Sequence, residues 1–376
     1  MNRDDLKYWI ALKSIDSVGN IGFKNLVDTF DSPRNVFSAP LHTLTNVPGI
    51  GKKTASNIKD FQKWHKIEEE LEHIKKYDTH IITYKDPLYP KVLLNIYDFP
   101  VFLYVRGFFK EDDINVAVVG SRMASTYGKF STERLCRELA LKRITVVSGL
   151  ARGIDSAAHR GALAGGGRTI AVLGCGLDTV YPAENEKLFN DIASRGAVIT
   201  EYPFGTPPNS QNFPARNRII SGISLGVVVV EANEKSGSLI TARLAMEQGR
   251  DVFAVPGSID STGSRGTHKL IKEGAKLIEN VTDILDEILP QVDIKQREFE
   301  KLPSSPEQSG KVLNCTHKLN EKENSVLQVI SSKAVAIDDI VFSAGLKPND
   351  VLNILLTLEL RGIIKQLPGK MYMLKE

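Results

Sequence analysis

The chain has 376 residues, more than one ordinary hydrophobic core organises, and its length therefore predicts two or three domains. Hydrophobic residues make up 42% and charged residues 25%, as in soluble globular proteins, and no apolar run reaches the roughly 20 residues needed to span a bilayer. The net charge of +3 is too small to indicate nucleic-acid binding, so that function must be argued from the positions of the basic residues.

The N-terminus and the cysteines predict a cytoplasmic protein. The first residues, Met1 to Lys7, lack the apolar core of a signal peptide. Cys136, Cys175 and Cys315 are odd in number and scattered, which suits a reducing compartment and makes no metal-ligand pattern. We therefore expect no membrane span, no bound metal and no cofactor.

Residues 1–76 are predicted to form a helical domain that contains a hairpin. In the segment 47–58, two glycines two positions apart make a tight turn before a lysine-bearing helix start. The segment resembles the helix-hairpin-helix motif, whose turn presents backbone N–H groups to a DNA phosphate. The candidate phosphate contacts are Gly49, Gly51, Lys52 and Lys53. The alternative is a protein-contact domain that has kept the hairpin for packing.

The central domain is placed at residues 77–290 and opens with an extended stretch that reaches about Asp113. Ile81 to Tyr84 and Phe102 to Val105 are strand-like, and the Pro-rich segment 86–90 has turn chemistry. We interpret this stretch as an added strand region that leads into the rest of the domain.

From residue 116 to about 289 the chain alternates between predicted strands and helices. The predicted strands are 116–119, 144–148, 169–173, 197–200, 226–230 and 252–255. The predicted helices include 126–142, 153–164, 184–194 and 238–248. Such alternation indicates an α/β fold with a doubly wound parallel sheet, and the ligands of such sheets bind beyond the carboxyl ends of the strands.

Residues 291–323 are predicted to be a linker and residues 324–376 a winged-helix domain. The linker carries two prolines and many charges, with little hydrophobic periodicity. The last segment reads as three helices followed by a strand, a Pro-Gly turn and a strand, which is the winged-helix order. Its recognition-helix stretch, 349–359, has no Arg or Lys, and this favours protein contact over reading of a DNA groove.

Two strand-to-helix turns in the central domain predict an anion site. Each is a β-branched run that stops at glycine and enters a helical pattern, which points backbone N–H groups and a helix N-terminus at one spot. The candidate ligands are Gly120, Ser121 and Arg122 in the first turn, and Ser148, Gly149, Leu150 and Arg152 in the second. The alternatives are a salt bridge from Arg122 to Asp155 or to a glutamate, and a structural role for Arg152.

The segment 212–218 combines an aromatic residue with two arginines. Phe213 is a candidate stacking platform for a nucleic-acid base, unless it is a core residue under the loop. The further candidates for contacts to the strand are Arg216, Asn217 and Arg218. One of the two arginines is expected to pair internally with Glu201 or Glu231.

Other polar pairs in this domain have simpler interpretations. Ser236 and Gly237, at a helix start, either bind phosphate or only cap the helix. Asp155 and His159 lie one helical turn apart and are interpreted as structural, because no nucleophile or third catalytic member accompanies them. The sequence therefore predicts no catalytic residue.

Together these segments resemble the DprA/Smf family of bacterial DNA-processing proteins. The motifs that carry the resemblance are 120–125, 148–159, 212–218 and 236–241, with 181–185, 200–201, 249–250, 255–257 and 266–267 between and after them. The resemblance covers nearly the whole chain, and so many dispersed motifs in one order do not arise by coincidence.

The resemblance implies three parts, namely a sterile-alpha-motif-like helical domain, an extended Rossmann core and a winged helix. It implies a non-catalytic recombination mediator of natural transformation that binds single-stranded DNA, protects incoming strands and helps to load the recombinase RecA. A homodimer is expected through the central domain, with 242–248 and 260–275 as candidate faces. Single-strand-binding protein is a further candidate partner.

One position departs from the family pattern. Many members have a basic residue three positions before the phenylalanine, where this chain has Ser210. One phosphate contact is therefore expected to be missing, or to come from Lys235 or Arg265. Each lost contact lowers the salt dependence of binding.

Two enzyme functions are alternatives to DNA binding. A phosphoribohydrolase of the lysine-decarboxylase-like type is the alternative function, but the chain lacks that group's Pro-Gly-Gly-x-Gly-Thr loop. A dinucleotide-dependent oxidoreductase is disfavoured because Arg122 stands where its second fingerprint glycine would be.

Overall fold

The computed structural model describes residues 3–300, 321–330, 335–344, 351, 354–355, 358, 364–367 and 371–374. The chain divides into two compact units, residues 1–302 and 303–376. Within the described part, no helix is long and apolar enough to cross a membrane.

Helices fill the first part of the chain up to residue 76. They are α1 (Arg3–Lys13), α2 (Asn20–Phe30), α3 (Pro33–Ser38), α4 (Leu41–Leu44), α5 (Lys52–Lys59) and α6 (Trp64–Lys76). Their buried face is apolar and includes Trp9, Phe23 and Leu26. This core continues without a break into residues of the sheet domain such as Leu173 and Phe204. The predicted helical domain therefore packs as part of the first unit.

Nine strands of the described chain form one sheet. They are β1 (His80–Thr83), β2 (Phe102–Gly107), β3 (Ile114–Val119), β4 (Ile144–Ser148), β5 (Thr169–Val172), β6 (Ala197–Thr200), β7 (Gly226–Val229), β8 (Asp251–Ala254) and β9 (Lys276–Leu277). The spatial order is β1-β2-β6-β5-β4-β3-β7-β8-β9. All neighbours from β6 to β9 pair in parallel, while β1 and β2 pair antiparallel and extend the sheet beyond β6. The predicted α/β fold is confirmed, and the added strand region joins the sheet itself.

Helices cover both faces of this sheet, as apolar strands such as β7 require, because every residue of that strand is buried. They are α7 (Thr126–Leu141), α8 (Ile154–Ala164), α9 (Glu186–Arg195), α10 (Asn212–Gly222), α11 (Ser238–Glu247), α12 (Arg265–Lys272) and α13 (Thr282–Glu300). The predicted strands and helices agree with these bounds to within two residues at each end. The complete α10 is an addition to the prediction, which placed only a helix start there.

Helix α13 corrects the predicted start of the linker. It continues to Glu300 and contains Pro290, so residues 291–300 are helical rather than irregular. This stretch is rich in Gln, Lys, Arg and Glu, which favour a helix without any hydrophobic periodicity. The remaining predicted linker up to residue 320 lies outside the described residues.

The second unit contains α14 (Glu321–Val329), β10 (Val335–Ala336), α15 (Ile337–Ala344), β11 (Ile364–Leu367) and β12 (Met371–Leu374). Residues 351, 354, 355 and 358 are helical, as the third predicted helix requires. The strands form an antiparallel sheet in the order β10-β12-β11. Helices followed by a β-hairpin confirm the predicted winged helix. The Pro-Gly turn and most of the 349–359 stretch lie outside the described residues.

Candidate functional site

A cleft of about 590 Å³ opens at the carboxyl edge of the sheet, beside the ends of β3 and β7. The strand order reverses between these two neighbours, since β4 to β6 lie on one side and β8 on the other. Ligands of doubly wound sheets bind at such a switch point. The predicted residues that line the cleft are Gly120, Ser121, Arg122, Phe213, Arg216, Asn217, Ser236 and Gly237. Ser148, Gly149, Leu150, Arg152 and Arg218 are not among its lining residues.

Three side chains form a stack at this cleft. The ring of Phe213 lies against that of Tyr181, with centroids 5.6 Å apart and planes 29° from parallel. The guanidinium carbon of Arg122 lies 5.1 Å from the centroid of the same Phe213 ring. Gly174 leaves room for the ring, because a Cβ there would lie 3.0 Å from Phe213 Cδ1. Phe213 is half-buried, so it is neither a free surface side chain nor a closed core residue.

Two exposed cations of the cleft lack a carboxylate partner within the described part of the chain. Arg122 and Lys235 are exposed, and neither forms an ion pair with another described residue. The expected alternative of an Arg122 salt bridge is therefore absent from the described structure. Lys235 lies beside Ser236 and the start of α11, whose N-cap Gly237 provides no side-chain cap. Ser236 Oγ accepts from Ser238 N at 3.4 Å, and the N–H groups of Leu239 and Ile240 donate to the carbonyls of Ser236 and Gly237. This edge therefore presents positive charge beside a helix start that the chain itself caps.

The first glycine turn already has its own hydrogen-bond acceptors. The backbone N–H of Ser121 donates to Glu231 O at 2.7 Å. The Glu231 carboxylate accepts from Ser125 N at 2.9 Å and also from Ser125 Oγ, at the N-terminus of α7. Gly120 lies so close to Glu231 that a Cβ would approach its carbonyl oxygen to 2.9 Å. The expectation that Ser121 N–H caps a bound phosphate is therefore wrong for this conformation.

The second glycine turn holds the buried carboxylate of Asp155. Its Oδ2 accepts from Gly149 N at 3.2 Å and from Ala151 N at 3.4 Å. Ser148 Oγ donates instead to Val118 O at 2.7 Å, and Leu150 is completely buried with a φ of 58°. These residues are predicted anion ligands, but the structure places a side chain of the protein itself where the anion was expected.

Arg216 lies beneath the cleft with only 4% of its surface exposed. Its Nη1 donates to Gly149 O at 2.8 Å and to Val172 O, and its Nε has no hydrogen-bond partner among the described residues. Burial lowers the pKa of Arg216 to about 10, and the charge of Asp155 opposes that shift. The expectation that Arg216 adds charge at the outer edge is corrected, because its hydrogen bonds point into the sheet.

Arg218 forms the internal pair that was expected for one of the two arginines. Its Nη2 lies 2.6 Å from Glu201 Oε2, and its Nε lies 2.8 Å from Asp98 Oδ2. Only 12% of the Arg218 side chain is exposed, so a strand contact would require breaking this pair. Arg152, in contrast, is exposed and pairs with the exposed Glu184, with its Nη2 2.9 Å from Oε2.

His159 is completely buried, and its ring pairs with Thr169 rather than with the Asp155 carboxylate. Its Nδ1 lies 2.7 Å from Thr169 Oγ1, and the Thr169 hydroxyl donates to Val146 O. Because the Thr169 hydroxyl proton is used in that bond, its oxygen must accept from Nδ1, which therefore carries the imidazole proton. Nε2 is unprotonated and has no hydrogen-bond partner among the described residues. Burial lowers the pKa of His159 to about 3, aided by Arg216. A neutral histidine in this setting supports the structural interpretation.

We expect His159 to make the protein less stable in acid. Its pKa is about 3 in the folded protein and 6.5 as its ordinary value, so the unfolded chain binds the proton first as the pH falls. The lost stability should reach about 2 kcal/mol at pH 5. The free energy of unfolding measured by urea between pH 7 and pH 5 checks this. A His159→Gln variant with an unchanged pH slope would show that other groups cause the loss.

The predicted hairpin is present in the helical part of the first unit. Helices α4 and α5 flank a turn in which Gly49 has a φ of +81°, a conformation that favours glycine. Gly51 is the N-cap of α5 without a side-chain cap, and both Lys52 and Lys53 are exposed. The predicted turn geometry is therefore confirmed, while phosphate contact at it stays a prediction.

Sequence reasoning missed Tyr181 as part of the cleft. The sequence places it only in a family motif, yet the residue is 40% exposed and its ring stacks on Phe213. An aromatic residue beside the glycine-rich end of a strand was the available signal. Asn233, Ser238 and Thr241 also line the cleft. No group of three or more His, Cys, Asp or Glu side chains suited to a metal occurs in the described part of the chain.

Comparison with protein families matches three parts of the chain. A model described as DNA recombination-mediator protein A matches residues 80–289. A DprA winged helix domain matches residues 316–370, and a SAM-like helix-hairpin-helix tandem matches residues 10–62.

Individual proteins with DprA or Smf names are also similar to the chain. Protein Smf of Synechocystis is 34% identical over 397 residues and covers 99% of both chains. The crystal structure of DNA processing protein A from Streptococcus pneumoniae is 39% identical, with a TM-score of 0.65 over 75% of this chain and 98% of that one. The Helicobacter pylori DNA processing protein A, whose structure concerns its single-stranded DNA binding mode, is 33% identical with a TM-score of 0.51, over 56% of this chain and 97% of that one.

Proposed function

The chain belongs to the DprA/Smf family, and we propose that it binds single-stranded DNA as a recombination mediator of natural transformation. The observation that carries this proposal is the stack of Arg122, Phe213 and Tyr181 in a cleft whose exposed cations, Arg122 and Lys235, form no ion pair with another described residue. An aromatic platform beside a cation matches a base and its phosphate, and it tolerates any base sequence. The protein then acts as a binding protein rather than as a catalyst.

The cleft residues have distinct roles in this proposal. Arg122 and Lys235 neutralise phosphates, and the positive end of the α11 dipole, at Ser236 and Gly237, faces a further phosphate oxygen. Asn217 lines the same cleft and offers an amide to the strand. Arg216 positions this surface from below. Lys235 supplies the charge that family members place at the position of Ser210, which also lines the cleft.

The wider role rests on family membership. We propose a cytoplasmic homodimer that protects incoming strands and helps to load RecA, with single-strand-binding protein as a further partner. The helix-hairpin-helix turn, with Gly49, Gly51, Lys52 and Lys53, is proposed as a separate phosphate contact.

The decisive experiment measures binding of labelled single-stranded and duplex oligonucleotides across a salt series. Wild-type protein should prefer the single strand and lose affinity as salt rises. Arg122→Ala should weaken binding and reduce the slope of log affinity against log salt by roughly 0.7, the value of one phosphate contact on a single strand. Arg160→Ala is the matched control, because Arg160 is exposed but does not line the cleft.

If Arg122→Ala and Arg160→Ala lost the same amount of affinity, only the net charge of the protein would matter, and the cleft would not be the DNA-binding site. Absence of any preference for the single strand would contradict the proposed function. A nucleoside-monophosphate hydrolysis assay would then test the phosphoribohydrolase alternative.

We propose that Arg152 also contacts DNA once its ion pair with Glu184 is broken. Both side chains are more than half exposed, so their pairing is weak and screened by salt. Glu184→Gln should free Arg152 and tighten single-strand binding by up to about fivefold at low salt. The same substitution in an Arg152→Ala background should have no effect. A gain that persists in that background would place Arg152 outside the contact surface.

A further inference from the structure

A second pocket lies where the N-terminal helices meet the sheet domain. This junction pocket has a volume of about 310 Å³ and is lined by Ile10, Lys13, Ser14, Phe102, Tyr104, Glu201, Tyr202 and Pro203. The buried rings of Phe102 and Tyr104 form its apolar part. Tyr202 is half-buried, and Pro203 and Ser14 are exposed, so the pocket is open on one side. Its size and its mixture of aromatic and polar groups suit a small planar ligand.

Lys13 gives the pocket a positive charge. Its Nζ donates to Asn20 Oδ1 at 2.6 Å, and it forms no ion pair with another residue of the described chain. Burial lowers the pKa of Lys13, and the nearby charges of Glu201 and Asp98 oppose that shift. Glu201, in turn, is held by Arg218. The pocket thus places a hydrogen-bond donor and a carboxylate acceptor beside aromatic side chains.

The junction pocket and the cleft lie on the same edge of the sheet. Glu201 and Tyr202 follow β6, and Phe102 begins the antiparallel β2, so both segments lie at the carboxyl end of β6. Helix α10 connects the two sites, because Phe213 and Asn217 line the cleft while Arg218 holds Glu201 of the pocket. Burial raises the pKa of Tyr202 to about 12, and the charges of Glu201 and Arg216 also act on that pKa. Tyr202 therefore lies near both residues.

We propose that the junction pocket binds a second nucleotide of the same DNA strand, with its base on Tyr202 and its polar edge toward Lys13 and Glu201. Single-stranded nucleic acid is recognised by this combination, in which unstacked bases lie on aromatic side chains and their edges meet polar groups. The proposal rests on single-strand binding at the cleft. It extends the DNA path across α10 to the N-terminal helices.

The test compares a length series of oligothymidylates. The affinity of the wild-type protein should increase abruptly, in one step, once the oligonucleotide is long enough to reach from the cleft to the junction pocket. Tyr202→Ala should remove this step, with a loss of about fivefold or more for long oligonucleotides only. Tyr202→Phe keeps the ring and should keep the step. Lys13→Met should also reduce it, whereas Lys66→Met, which removes an exposed lysine of α6, should leave it unchanged.

A second readout does not depend on affinity. Photo-crosslinking of long oligonucleotides that contain 5-bromodeoxyuridine, followed by mass spectrometry, should identify a peptide that includes Tyr202. Superimposable length profiles for wild type and Tyr202→Ala, or crosslinks confined to the cleft, would overturn the proposal. Phe213→Ala should weaken binding at every length, so failure at the cleft is distinguishable from failure at the pocket.

Discussion

Replacing Arg216 with methionine is expected to lower the free energy of unfolding by about 3–5 kcal/mol. The guanidinium is buried, lies near enough to the buried Asp155 for the two charges to interact, and donates to carbonyl groups at the ends of β4 and β5. Methionine fills a similar volume but removes the donor to those carbonyls and the buried positive charge that stabilises ionised Asp155, which keeps its backbone donors at Gly149 and Ala151. Equilibrium denaturation by urea measures the loss.

The control for this substitution is Arg152→Met. Arg152 also pairs with a carboxylate, but both side chains are exposed, and we expect little measurable change in stability. Adding Asp155→Asn to Arg216→Met should recover part of the lost stability, because it removes the uncompensated charge. If Arg216→Met were as stable as wild type, the guanidinium would not be the link between α10 and the strands.

Replacing Phe213 with alanine should weaken binding of single-stranded DNA by about 1–3 kcal/mol, or roughly 5- to 150-fold. The substitution removes the central ring of the stack and leaves Arg122 and Tyr181 without their shared contact. Fluorescence anisotropy with a labelled oligothymidylate measures the change. The salt slope should stay close to that of wild type, because the ring neutralises no phosphate.

Phe213→Tyr is the matched variant, since it keeps an aromatic ring in the same place. It should bind within a few-fold of wild type, and both variants should melt near the wild-type temperature. Loss of binding in Phe213→Tyr as large as in Phe213→Ala would show that stacking is not what this position provides. The prediction would also be wrong if Phe213→Ala changed the salt slope and Arg122→Ala did not.

The sheet could be predicted from sequence because its strands are short apolar runs that end at glycine or polar residues. The four consecutive valines from Val227 to Val230, for example, leave no polar face for solvent. The inward orientation of Arg216 could also have been predicted from the sequence. It lies three and four residues before Ile219 and Ile220, which are buried, so all three share one helical face. Charge alone led to the expectation that this residue faces outward.

The acceptors that fill the glycine turns were harder to foresee. Glu231 reaches Ser125 across 106 positions of sequence, and this pairing follows from the adjacency of β3 and β7 rather than from a local pattern. Tyr181 likewise meets Phe213 only because two loops converge at one edge of the sheet. The sequence predicts which residue types gather beyond the strands, but contacts between separate loops depend on strand order.

The acceptors that the protein itself provides at the two glycine turns have a consequence for competition by small anions. Asp155 is attached to the turn it fills, and Glu231 is held beside the other by the pairing of β3 with β7. A tethered group competes with an effective concentration on the order of millimolar or more, even when its tether is flexible. Free phosphate or a mononucleotide would have to displace these groups before it could enter either turn. A DNA strand that lies on Phe213 and Arg122 displaces neither, so we expect cellular nucleotides to be poor inhibitors of strand binding.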